Sequence, residues 1–116
     1  MIIPKVIAIG GVAGTGKTRL MKKILSSKKD WVRAKPEYLL DSLYSKSLNS
    51  FVIGKYAPYY PFNNYADGSD RLSMGVQPIA LKFFSALTTN CIFEGDRLFT
   101  SSVLEYLTKL KLNCQF

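Results

Sequence analysis

The chain has 116 residues with a net charge of +8, and 47% of its residues are apolar. That length bounds it to one domain with a real core, and the apolar content excludes a disordered chain. No histidine is present and only two cysteines, Cys91 and Cys114. Serine–histidine and cysteine–histidine catalysis are therefore excluded, as is a zinc site of about four ligands built in cis.

The charge is unevenly placed. Residues 1–35 hold nine of the sixteen bases and a single acid, Asp30, whereas residues 36–116 are balanced at seven of each. No apolar stretch approaches the roughly 20 residues that span a bilayer, and no secretory leader is visible, so the expected compartment is the cytoplasm.

In chain order, the first predicted element is a strand over residues 5–10, with β-branching at Val6, Ile7 and Ile9. It runs into Gly11-Val12-Ala13-Gly14-Thr15-Gly16-Lys17-Thr18, which fits the phosphate-binding loop pattern Gly-x-x-x-x-Gly-Lys-Ser/Thr. A loop that wraps a triphosphate must bring backbone N–H groups close to its oxygens, and side chains at Gly11, Gly14 and Gly16 would obstruct that approach. A helix predicted over 17–27, with Leu20, Met21, Ile24 and Leu25 on one face, aims its positive N-terminal end at the same oxygens. In this pattern Lys17 serves the β- and γ-phosphates and the Thr18 hydroxyl ligates Mg²⁺. The run Lys17, Arg19, Lys22, Lys23, Lys28, Lys29, Arg33 and Lys35 reads either as a solvated basic face or as a field for nucleotides or nucleic acid. Lysine dominance, with Trp31 the one interleaved aromatic, favours the solvated face.

A second helix is predicted from Pro36, with Leu39, Leu40, Leu43 and Tyr44 on one face. A strand follows at Phe51 to Lys55. The tyrosine- and proline-rich stretch Tyr56 to Tyr65 then packs a long crossover or, alternatively, stacks on a base. Asp70 suits a cap for a short helical turn. A helix is predicted from Pro78 to Thr88, with Ile79, Phe83, Phe84 and Leu87 inward, and a strand from Cys91 to Glu94. Ser102-x-x-Glu105 reads as a capping box opening a helix that buries Val103, Leu104, Leu107 and Leu110. Asn113 is expected to close it, and Cys114-Gln115-Phe116 to begin a fourth strand.

Strands alternating with helices imply a three-layer α/β/α domain around a parallel sheet, with ligands at the carboxyl ends of the strands. Both cysteines then begin strands flanking the first one without meeting, as free thiols. The third strand ends in Phe93-Glu94-Gly95-Asp96-Arg97-Leu98-Phe99. Two carboxylates and an arginine there lie beside the phosphate loop if this strand neighbours the first. A carboxylate in that place holds Mg²⁺ or accepts a hydroxyl proton, and an arginine fork clamps a phosphate.

With these residues in hand, the chain resembles the phosphate-loop kinases of nucleosides and nucleotides over residues 6–112. Asp96-Arg97-Leu98-Phe99 with Ser101-Ser102 and a helix is similar to the Asp-Arg-aromatic…Ser segment of thymidylate kinases. Glu94 instead matches the Glu-Arg of deoxynucleoside kinases, with Gly95-Asp96 breaking that spacing. The pairing of Asp67-Gly68-Ser69-Asp70-Arg71-Leu72-Ser73-Met74 with Glu94-Gly95-Asp96-Arg97 is similar to uncharacterised kinase-like proteins of phage type.

The resemblance implies a P-loop NTPase fold, ATP and Mg²⁺ as cofactors, and phosphoryl transfer to a nucleotide, nucleoside or similar small acceptor. It implies residues 11–18 on the donor nucleotide, and Lys17, Glu94, Asp96 and Arg97 in catalysis. Thr18 and Asp96 are implied on the metal, and Asp70, Arg71 and Arg97 on the acceptor. Such kinases continue into an arginine-bearing lid and a fifth strand after the fourth, so the fold is expected to be incomplete on its C-terminal side, or completed by a second chain. Two alternatives stay open: a nucleotide-binding module without turnover, and a nucleic-acid-linked ATPase. No Asn-Lys-x-Asp segment supports a GTPase, and no Leu-Ser-Gly-Gly-Gln signature supports a transporter ATPase.

Overall fold

A computed structural model describes residues 4–10, 17–56, 72–73, 75–95, 97–110 and 113–115. Its elements in chain order are strand β1 (Lys5–Ile9), helix α1 (Lys17–Ser26), strands β2 (Val32–Ala34), β3 (Ser42–Ser45) and β4 (Ser50–Ile53), helix α2 (Val76–Ser85), strand β5 (Asn90–Glu94), helix α3 (Ser101–Lys109) and strand β6 (Asn113–Gln115). The strands form one six-stranded sheet in the order β2-β3-β4-β5-β1-β6. β1 lies parallel between β5 and β6, and β4 is parallel to β5.

The sheet is mixed, which corrects the expectation of parallel strands throughout. β2 pairs antiparallel with β3, and β3 with β4. The reason is the length of the connections. A parallel return needs a dozen or more residues, and only the short turn at 46–49 separates β3 from β4. Asn49 takes the left-handed conformation there, with φ 48°, and its N–H donates to the Lys46 carbonyl at 3.2 Å.

The helix expected from Pro36 is likewise replaced by a turn and β3. Leu39 has φ 66°, which no right-handed helix accommodates. Three serines fix the alternative. Ser42 Oγ donates to the Ala34 carbonyl, Ser45 Oγ to Asp30 Oδ1, and Ser50 Oγ to the Leu48 carbonyl. Ser42 and Ser45 thereby tie β3 to partners 8 and 15 positions earlier in the chain.

Alternation along the strands builds two cores. Val6, Ala8, Ile53, Cys91 and Phe93 face α2 and α3, where they meet Val76, Ala80, Phe83, Phe84, Val103 and Leu107. Leu43 and Val52 face α1, where they meet Met21, Leu25, Trp31 and Tyr56. Helices thus cover both faces, as a sheet buried on both sides requires. Edge-on and tilted rings run across the α2 side from Tyr44 through Phe51, Phe83 and Phe84 to Phe93, with centroids 4.8–5.7 Å apart.

α3 is capped by Thr100 rather than Ser102: its side chain accepts from the Val103 N–H. Ser102 sits inside the helix, so the expected capping box is not the one used. Thr100 Oγ1 also accepts from Gln77 Nε2 at 2.9 Å, tying α3 to α2. Asn113 opens β6 rather than closing α3, which ends at Lys109 with Leu110 as its cap.

Cys91 and Cys114 both stand opposite Val6, one on each side of β1. They are free thiols separated by a strand, as expected. Burial pushes the Cys91 thiol far up and also raises that of Cys114, whose Sγ donates to the Leu107 carbonyl. Both shifts favour the protonated thiol.

Candidate functional site

Four parallel strands, β4, β5, β1 and β6, deliver their carboxyl ends to one edge of the sheet. β1 ends at Ile9, which is in register with Glu94 at the end of β5. The Gly95 N–H then donates to the Ile9 carbonyl at 3.2 Å, so the two strand ends stay joined as both chains turn away. Gly95 leaves the strand with φ 92°, a conformation that favours glycine. The turn closes on itself: the Phe99 N–H donates to the Gly95 carbonyl at 2.9 Å. This brings the Phe99 ring over Gly10, so tightly that any side chain at Gly10 would run into it. The last backbone position before the glycine-rich loop is therefore clamped by an aromatic from the β5–α3 turn.

Beyond Gly10 the chain re-enters the described residues at Lys17, already helical as the first residue of α1. Loop residues 11–16 and the side chains of Lys17 and Thr18 lie outside the description, as do Asp70, Arg71 and Asp96. Of the residues singled out from the sequence, the structure places Glu94 at the end of β5, in register with Ile9, and Arg97 in the turn that follows.

Glu94 is 4% exposed. A buried carboxylate needs hydrogen-bond partners, and Tyr56 supplies one: its hydroxyl donates to Glu94 Oε1 at 2.8 Å. Tyr56 is fully buried and belongs to the core on the α1 side. It follows β4, the strand on the other side of β5, so its hydroxyl reaches the carboxylate from that strand's carboxyl end. Arg97 is half-buried in the same turn as Phe99.

Tyr56 was legible from the sequence only as the first member of an aromatic run. Its contact to Glu94 crosses 38 positions and depends on β4 lying beside β5, which no spacing signals. For the tyrosines from 59 to 65, neither packing nor stacking is addressed, because they lie outside the described residues. Phe99 was expected as part of the Asp-Arg-aromatic segment, and its role against Gly10 was not.

Among the described residues no group of three or more acidic or sulfur ligands converges as a ready cation site. Among the described residues, the carboxylate at this edge is that of Glu94. No helix among the described residues is long and apolar enough to cross a membrane. No protein-family model matches the chain, and no curated protein or solved structure matches it.

Proposed function

We propose that the chain is a P-loop NTPase-type domain that binds ATP with Mg²⁺ and transfers its terminal phosphoryl group to a nucleotide, nucleoside or similar small acceptor. One observation carries the reading. A strand of the parallel part ends at the glycine-rich segment, the helix after it starts at Lys17, and Glu94 ends the adjacent parallel strand in register with Ile9. Ligands of open α/β sheets gather at that edge.

In this reading residues 11–16 offer backbone N–H groups to the phosphates, Lys17 adds a mobile positive charge, and Thr18 with Glu94 or Asp96 holds the metal. Bound Mg²⁺ supplies charge neutralisation across the triphosphate. Glu94, held by Tyr56, keeps one fixed orientation in which the carboxylate faces metal or an acceptor hydroxyl. Arg97 and Arg71 neutralise acceptor phosphate, and Asp70 contacts the acceptor. Catalysis is then by positioning and electrostatics, with no covalent intermediate on the protein.

The test is ATP consumption across a panel of mononucleotides and nucleosides. Turnover that rises with one acceptor class supports the kinase. ATP binding with no turnover on any acceptor would reduce the site to a binding module, and absence of ATP binding would overturn the reading.

A further inference from the structure

We propose that Phe99 is a positioning residue: its ring, seated on Gly10, fixes the turn that carries Arg97 against the entrance to the glycine-rich loop. The turn and the end of β1 then move as one unit. The consequence for catalysis rests on the phosphoryl-transfer reading, whereas the clamp itself needs no nucleotide.

Nothing local requires glycine at position 10. The phosphate-loop pattern opens one residue later, at Gly11. Among the described residues the glycines with positive φ are Gly54 and Gly95, so alanine would suit the Gly10 backbone. What excludes it is Phe99. A Cβ at Gly10 would run into Cδ1, Cε1 and Cζ of the ring, where carbons ordinarily stand about 3.5–4.0 Å apart.

The turn on the other side of this contact is closed on itself. The Leu98 and Phe99 N–H groups both donate to the Gly95 carbonyl, at 3.3 and 2.9 Å, and the Gly95 N–H donates to the Ile9 carbonyl at 3.2 Å. The turn therefore begins at a residue tied to Ile9 and ends at one resting on Gly10, with Arg97 between them. A single hydrogen bond between strand ends leaves a turn free to pivot about it. The ring, four residues further on, removes that freedom.

The surroundings of Arg97 carry the constraint to its side chain. Leu98 is fully buried with Val103 and Leu107. Thr100 caps α3 and accepts from Gln77 Nε2 of α2 at 2.9 Å. Arg97 itself is half-buried, with its Nε shut off from solvent. Its guanidinium thus follows the turn, and the turn follows β1. Phosphoryl transfer by positioning and electrostatics depends on that kind of fixed spacing between donor loop and arginine. A ring that only filled space would need volume alone, yet Phe99 is partly exposed and lies against backbone.

The test begins with the full chain and no nucleotide. In urea denaturation Gly10→Ala should be clearly less stable than the parent, while the same methyl group should cost little in a Phe99→Ala background. An equal cost in both backgrounds overturns the clamp. If Gly10→Ala alone does not fold, a folded double variant supports the clamp and an unfolded one overturns it. In the arginine side-chain NMR spectrum, the Nε–Hε signal lost in Arg97→Lys should shift in Gly10→Ala, and an unmoved signal overturns the positioning role. With ATP, Mg²⁺ and acceptor, Phe99→Leu keeps an apolar filler but should lower kcat about tenfold or more, with ATP affinity changed by less than about twofold. A kcat equal to that of the parent overturns the positioning role. A parent chain that binds no ATP overturns the phosphoryl-transfer reading instead, and the denaturation cycle and the arginine signal then decide the clamp by themselves.

Discussion

The two halves of the sheet are held together by different physics. In the parallel half, β4-β5-β1-β6, the strands are short apolar runs covered by helices, and stability resides in packed side chains such as Phe93 and Phe84, whose ring centroids are 5.5 Å apart. In the antiparallel half, β2-β3-β4, buried serines and Asp30 tie turns to strands by side-chain hydrogen bonds, and the outer strand leaves Val32 55% exposed. Packing resists single polar changes and fails when volume is removed, whereas a hydrogen-bonded meander should behave the opposite way. The candidate site sits on the packed half, where a rigid frame can hold strand ends in register.

If that contrast is right, Phe93→Ala should be the most damaging change, costing about 3–5 kcal/mol through lost burial and a cavity. Urea denaturation with an unchanged slope would measure it. A loss below that of Ser45→Ala, expected near 1 kcal/mol, would reverse the assignment of the two halves.

Tyr56→Phe comes next. It leaves Glu94 buried and short of one donor, at a cost of about 1–3 kcal/mol. A purely structural tyrosine would change stability alone. One that orients Glu94 should also lower kcat for ATP turnover and shift its pH profile, with KM for ATP little changed.

The smallest effect belongs to Asp30. Hydrogen bonds from Ser45 and Ser47 hold its carboxyl below the ordinary value of 3.8. Because the folded value is depressed, the stabilisation is fully present above about pH 4 and disappears as pH falls through the folded value. Asp30→Asn should therefore flatten the acid limb of stability measured between pH 6 and pH 3. An unchanged acid limb would show that the turn does not depend on this charge.

What could be read beforehand divides along the same line. Strand β1, the helix after Lys17, the strand ending in Glu94 and the flanking positions of both cysteines were legible, because apolar runs and glycines state local structure. β2 and β3 were not. Leu39, Leu40, Leu43 and Tyr44 satisfy a helical period by coincidence, and serines that bond backbone across a turn leave no periodic trace. At the candidate site, Glu94 at a strand end was legible from an apolar run stopping in acid. Its Tyr56 partner and the Phe99 clamp on Gly10 were not, since both follow from which strands and turns end up adjacent.

The phosphate site itself is best examined by titrating ATP with Mg²⁺ into the parent chain and into Lys17→Ala by calorimetry. Saturable binding to the parent and a loss of about tenfold to a hundredfold or more in the variant are expected, as removal of a charged phosphate contact requires. Equal affinity in the two proteins would contradict the assignment of Gly11 to Thr18 as a nucleotide-phosphate loop.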